Sequence, residues 1–189
     1  MKGMQFKITL LDIEPPIWRR IIVPENYSFW DLHVAIQDAF GWFDSHLHSF
    51  EINENDDFYI GIPDPEEMDY KEVKAGWETK LKEYIKEIGQ KVLYTYDFGD
   101  GWEHEIEFEE IIDRETKKPK CTDGARACPP EDCGGTPGYE EFCEIMKRKK
   151  GKEYKEMKTW YGKDYDPDEF DASKVKFDNP KTRLKMVYY

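Results

Sequence analysis

The sequence predicts an α+β fold, a single compact domain in which about four helices pack on a mostly antiparallel sheet. Three observations lead there: strand-like runs follow one another across short turns, four windows repeat apolar residues at helical spacing, and Tyr94–His104 reads as a β-hairpin. With 189 residues, among them 12 Tyr, 11 Phe and 6 Trp, the chain carries enough large apolar side chains for one well-formed core.

Gln5–Ile13 is apolar enough for a strand, Pro15-Pro16 interrupts it, and Ile17–Val23 resumes a β-branched run around Trp18. Two antiparallel strands joined at the prolines are expected. Ser28 with Asp31 forms a variant capping box for a helix whose stripe is Phe29, Leu32, His33, Ile36 and Phe40 and which stops at Gly41. His46–Ile52 alternates imperfectly, which predicts a strand with His46 and His48 on one face. A short strand is expected near Phe58–Ile62 within an acidic stretch that otherwise runs as a long surface loop to Lys74. Thr79 caps a second helix reaching Ile88, with Gly89 as its left-handed stop.

The hairpin follows. Its Asp-Gly pair suits a type I′ turn, because both central residues of that turn need positive φ. On the second arm Trp102, His104, Ile106 and Phe108 face one way and Glu103, Glu105, Glu107 and Glu109 the other. One face is therefore core and the other a carboxylate ladder in solvent. Lys117–Gly138 is rich in Cys, Pro and Gly and reads as a loop. Thr136-Pro137 starts a third helix with Tyr139, Phe142, Cys143 and Met146 inward, ending at Gly151, and a fourth lies around Glu153–Tyr161. From Asp164 on the chain reads as mostly irregular.

Charge narrows the partners. A formal net charge of −13, from 41 acidic and 28 basic residues, opposes a phosphate backbone, and Lys147–Lys150 is too short a basic run to reverse that field. Nucleic acid is therefore not an expected partner, which leaves a protein or a small-molecule ligand. No stretch approaches the roughly 20 apolar residues of a membrane span, and Met1–Phe6 lacks the apolar block of a signal peptide. A cytoplasmic location is expected. Thiols stay reduced there, so the four cysteines read as free or metal-bound.

Two metal sets compete with simpler roles. Cys121, Cys128 and Cys133 with His104 offer a tetrahedral zinc set, but structural zinc ligands usually come in pairs two to four residues apart, and the intervening gaps here are six and four residues. Buried or loop-packing thiols are the competing reading. An oxygen-and-imidazole centre for zinc or another divalent metal draws on His46, His48, Asp97, Asp100, His104, Glu131 and Asp132. No His-Glu-x-x-His spacing supports it, and histidines alternating with Trp and Ile on an inward strand face are more often core residues. Asp97-Phe98-Gly99 lacks the other kinase motifs, and neither Ser45 nor Cys128 sits in a nucleophile motif. Aromatic-lined grooves with a few carboxylates also suit ligand binding. The expected cleft therefore comprises His46, His48, Asp97, Asp100, Trp102, His104, Glu131 and Asp132.

Four ordered motifs add a resemblance. Pro15–Arg20 ahead of Leu32-His33, Gly41-Trp42 leading to His46–Phe50, Tyr96–His104, and Cys128–Gly135 with Gly138-Tyr139 together resemble the plasmid pRiA ORF-three-like family, also labelled insertion-element passenger (TnpR-type) proteins. The resemblance spans residues 4–178 as one domain and leaves 179–189 as a C-terminal tail. It implies a compact α+β domain of microbes with no established activity. The label brings no recombinase chemistry, since no serine nucleophile lies in an arginine-rich setting. A binding or accessory module, associated with mobile elements by its family label, is the expected function; a metal-dependent hydrolase using the same Asp/His/Glu cluster is the alternative.

Overall fold

The computed structural model describes residues 2–63 and 71–188, so part of the expected acidic loop lies outside the described residues. Among the described residues eight strands form one sheet: β1 (Gly3–Leu10), β2 (Ile17–Pro24), β3 (His48–Glu51), β4 (Phe58–Gly61), β5 (Glu72–Ala75), β6 (Lys91–Tyr96), β7 (Trp102–Ile112) and β8 (Lys120–Ala125). Their spatial order is β5-β4-β3-β6-β7-β1-β2-β8, with every neighbouring pair antiparallel except β4 with β5. Five α-helices among the described residues complete the α+β architecture, one more than the apolar stripes announce: α1 (Phe29–Phe40), α2 (Leu81–Tyr84), α3 (Gly135–Arg148), α4 (Lys152–Tyr161) and α5 (Pro180–Tyr188).

Alternation sorts the two faces of the sheet. Phe6, Ile8 and Leu10 of β1, Ile17 and Ile21 of β2, Phe50 of β3, Tyr94 and Tyr96 of β6, and Trp102, Ile106 and Phe108 of β7 are all buried in one core. Phe29, Leu32 and Ile36 of α1 belong to that same core. The helix starts where expected: Ser28 accepts from Asp31 N–H, Asp31 returns the bond to Ser28 N–H, and Gly41 closes the end at φ 86°. The opposite face is not a bare carboxylate ladder. Glu109 accepts from Arg20 at 2.7 and 2.9 Å and from Gln5 at 3.0 Å, while Lys91 reaches Glu105 at 2.9 Å. These cross-strand pairs relieve the repulsion that a run of glutamates creates.

Several expectations need correction. The β6–β7 connection is not a two-residue type I′ turn: pairing ends at Tyr96↔Trp102, leaving Asp97–Gly101 as a five-residue loop. Asp97 organises it from φ 56°, its Oδ1 accepting from Gly99 N–H at 3.0 Å and Asp100 N–H at 3.3 Å. The second helix is one turn long, because Gln90 captures Tyr84 O and Lys86 N–H at 2.8 and 2.9 Å and draws the chain out of the helical path. The cysteine-rich stretch contains β8, which borrows its regularity from backbone pairing with β2. α3 begins at Gly135 behind a left-handed Gly134, rather than at a Thr136 cap. The tail beyond Asp164 includes α5, which lies against α1: Trp30 Nε1 donates to Pro180 O at 2.9 Å, and Arg183 reaches Asp38 at 2.7 Å.

Candidate functional site

One end of the sheet gathers three segments: the loop from α1 to β3, the β6–β7 loop, and the loop that precedes α3. Glu131 fastens them. Its carboxylate accepts from Phe43 N–H at 2.7 Å, from Ser45 N–H at 3.4 Å and from the Tyr96 hydroxyl. Burial, followed by this carboxylate, pushes the Tyr96 hydroxyl far above its ordinary pKa, so it stays a donor. Trp42 Nε1 donates to Pro129 O at 3.1 Å, and Gly134 N–H donates to Asp100 Oδ2 at 3.0 Å.

At Gly135 the loop before α3 comes close to the backbone of Asp100. The glycine's φ is +67°, and a Cβ there would stand 2.6 Å from Asp100 O. Gly135→Ala is accordingly expected to destabilise the protein by more than about 1 kcal/mol, since it adds left-handed strain to a backbone clash. Urea unfolding checks this, and unchanged stability would show that the loop accommodates a methyl group.

At the mouth of this arrangement His46 stands between two carboxylates. Nε2 lies 2.9 Å from Asp132 Oδ1 and 3.6 Å from Asp97 Oδ2, and one ligand atom from each residue falls within 4.8 Å of the others. The side chains differ in freedom: Asp132 is exposed, His46 half-buried and Asp97 buried. Because Asp97 Oδ1 is occupied by the loop N–H groups, Oδ2 is the oxygen turned toward the imidazole. Two atoms bound to one tetrahedral ion at about 2.1 Å sit about 3.4 Å apart. The observed 2.9 and 3.6 Å separations bracket that edge.

Of the eight residues expected in the cleft, His46, Asp97 and Asp132 meet, while Asp100 and Glu131 hold the surrounding loops together. The other three face the core. β3 begins at His48, not His46, so the two histidines do not share a strand face; Glu131 bends the preceding backbone away. His48 stacks on His33 with ring centroids 3.5 Å apart, and burial first, then His33, keeps its pKa well below the ordinary histidine value. His104 lies edge-on to Phe40 and Trp42 at 5.0 and 5.3 Å, with Nδ1 at 3.1 Å from Trp102 O and 3.3 Å from Tyr94 O. Burial lowers its pKa to about 3, partly opposed by those carbonyls. Trp102 is buried beside Trp42.

The cysteine set does not converge. Among the described residues His46, Asp97 and Asp132 form the one group of three or more ligands close enough for an ion, which leaves out Cys121, Cys128, Cys133 and His104. Cys121 packs on β8 with its thiol directed at Asp123 O, and His104 is enclosed in the aromatic core. Burial raises the pKa of all four cysteines, Cys128 strongly and Cys133 to about 12, which disfavours the thiolate that binds metals. Sequence reasoning passed over Tyr96, although its place two residues after Tyr94 on the inward face was a usable signal.

Known proteins match this chain along most of its length. The uncharacterized protein y4hQ of Sinorhizobium fredii (strain NBRC 101917 / NGR234) is 37% identical over 166 residues, 86% of this chain and 83% of that protein. The crystal structure of MM3350, a protein of unknown function from Methanosarcina mazei Go1, is similar with a TM-score of 0.81 at 41% identity, covering 93% of this chain and 98% of the other. The sequence profile of the plasmid pRiA4b ORF-3-like proteins matches residues 2–174, and on that match the chain belongs to the plasmid pRiA4b ORF-3-like family.

Proposed function

We propose that the protein is a binding or accessory module whose working centre is a divalent-cation site formed by His46, Asp97 and Asp132. The observation that carries this is the buried Asp97 Oδ2 held toward His46 at 3.6 Å while Asp132 closes from the other side at 2.9 Å. One imidazole and two carboxylates suit zinc or manganese, and three protein ligands leave coordination positions for a bound partner group or water. The association with mobile elements is supported by the family's plasmid-derived name alone.

Calorimetric titration of metal-stripped protein with zinc and, separately, manganese tests the site. One ion per chain is expected. Asp97→Asn retains the Oδ1 acceptor and tolerates the left-handed backbone, so it removes the charge on the ligand oxygen while keeping the loop. It and His46→Ala are each expected to weaken affinity by at least the roughly 10–100-fold typical of lost supporting groups around metals. Equal affinity in wild type and both variants would remove the site.

A second reading, a metal-dependent hydrolase, is favoured by the exposure of Asp132 and half-exposure of His46, which let water reach an ion there. Metal-stimulated turnover of phosphodiester, ester or peptide model substrates, lost in His46→Ala, is its expected sign. Turnover that is absent, or indifferent to the variant, leaves the binding module alone.

A further inference from the structure

A second feature adjoins the ligand set and shares only Asp132 with it. A cavity of about 770 Å³ opens between the C-terminal end of α1, the Cys128–Asp132 segment and the chain after α4, and neither His46 nor Asp97 lines it. That volume is within the range typical of small-molecule sites. Arg19 lines this cavity although the residue is 2% exposed, so its guanidinium is a buried charge. Strand alternation puts it there: Arg20 points to the outer face and pairs with Glu109, while Arg19 points inward.

Arg19 has no carboxylate partner among the described residues. Nε donates to Ala39 O at 2.9 Å, and Nη1 donates to Trp18 O and Ala125 O at 2.8 and 2.9 Å, all neutral carbonyls. The Phe170 ring lies 3.7 Å from the guanidinium carbon and Phe40 5.0 Å from it. Nη2 donates to no protein acceptor among the described residues. Carbonyls and ring faces orient the group, yet they bring no negative charge to neutralise it. The two N–H of Nη2 are the donors left over, and on a buried cation beside a cavity they suit a carboxylate oxygen.

The rest of the lining has the opposite sign. Seven Asp and Glu residues border the cavity against three lysines, Lys163, Lys174 and Lys176. A simple anion would cross a repulsive mouth to reach Arg19, whereas a molecule that also carries an ammonium group would be attracted there. Between mouth and floor the walls include Phe40, Trp42, Tyr165 and Phe170, which suit an apolar body. We propose that this cavity binds a small amino-carboxylate zwitterion, its carboxylate inward on Arg19 and its ammonium at the acidic mouth.

Metal-stripped wild-type protein titrated with free L-amino acids and glycyl dipeptides, each beside its methyl ester and its N-acetyl derivative, tests the assignment by ligand-observed NMR and calorimetry. Stripping the metal removes chelation by a bound ion as a source of binding, although Asp132 borders both sites. At least one free zwitterion is expected to bind, with affinity falling about tenfold or more both on esterification, which removes the carboxylate, and on acetylation, which removes the ammonium. Arg19→Lys, checked for folding by circular dichroism, is expected to abolish binding because an ammonium cannot keep the three carbonyl bonds that hold Arg19 and still present N–H groups to the cavity. The derivative series uses unmutated protein, so it decides the matter even where the variant does not fold. Absence of binding across the panel at millimolar concentration, or esters or acetylated forms that bind as well as the free compounds, would overturn the proposal.

Discussion

Lowering the pH from about 7 to about 4 is expected to cost this protein several kcal/mol of stability, with His104 and His48 as principal contributors. Both rings are fully enclosed, and burial depresses both pKa values, that of His104 to about 3. The sign follows from proton counting. Below the unfolded value of about 6.5 the unfolded chain takes up a proton that the folded ring refuses, so stability falls with falling pH until the folded value is reached. Each such histidine contributes about 1.4 kcal/mol per pH unit in that window, so His104 alone removes about 3 kcal/mol by pH 4. Against a typical total of about 5–15 kcal/mol this is a large fraction. Urea unfolding across the window measures the slope. His104→Asn keeps a donor near the Nδ1 position that faces Trp102 O and removes the titration, so its slope is expected to be shallower by about 1.4 kcal/mol per unit. An unaltered slope would clear His104 of the role.

Trp102→Ala is expected to cost about 3–5 kcal/mol, the largest single loss from a packing residue near the site. The indole is 2% exposed and lies with Trp42 and Tyr96 where β6, β7 and the loop after α1 converge. Its Nε1 has no partner among the described residues, so truncation costs packing and leaves a cavity rather than breaking a hydrogen bond. For a domain of this size that loss corresponds to a fall in melting temperature of about 10 °C. Phe43, 84% exposed beside the same site, is the control, and its replacement by Ala is expected to change stability by less than about 0.5 kcal/mol. Similar melting temperatures for the two variants would place Trp102 outside the packed core.

The first hairpin and α1 were legible because their signals are local. Pro15-Pro16 breaks a strand wherever it falls, and Ser28 and Asp31 complete their capping box within one turn. β8 and α5 depend on distant partners. Thr122-Asp123-Gly124 has no strand alternation, but β2 supplies the pairing, and Gly124 leaves room for the Phe170 ring that no side chain there would allow. α5 carries a weak apolar stripe, and its placement against α1 is marked by Arg183 on Asp38 and Pro180 O on Trp30. The site divides the same way. Alternation correctly turned Trp102 and His104 inward, but extended through His46 it grouped that residue with His48. Glu131, far along the chain, binds the backbone of Phe43 and Ser45 and takes His46 out of the strand.

By itself the sequence determined the α+β class, the ends of α1, the pairing of β1 with β2 and β6 with β7, and the inward face of β7, because caps, breakers and period-two alternation act over a few residues. Only the tertiary structure decided which polar residues share a site. His46 and Asp132 are 86 residues apart, and their 2.9 Å approach is set by Glu131 and Asp100 bonding to the backbones of opposing loops. It also decided that Arg19 lies buried against Phe170 with no carboxylate partner among the described residues. Such contacts arise from long-range closure of the sheet and its loops, for which a linear pattern of residue types carries no distance information.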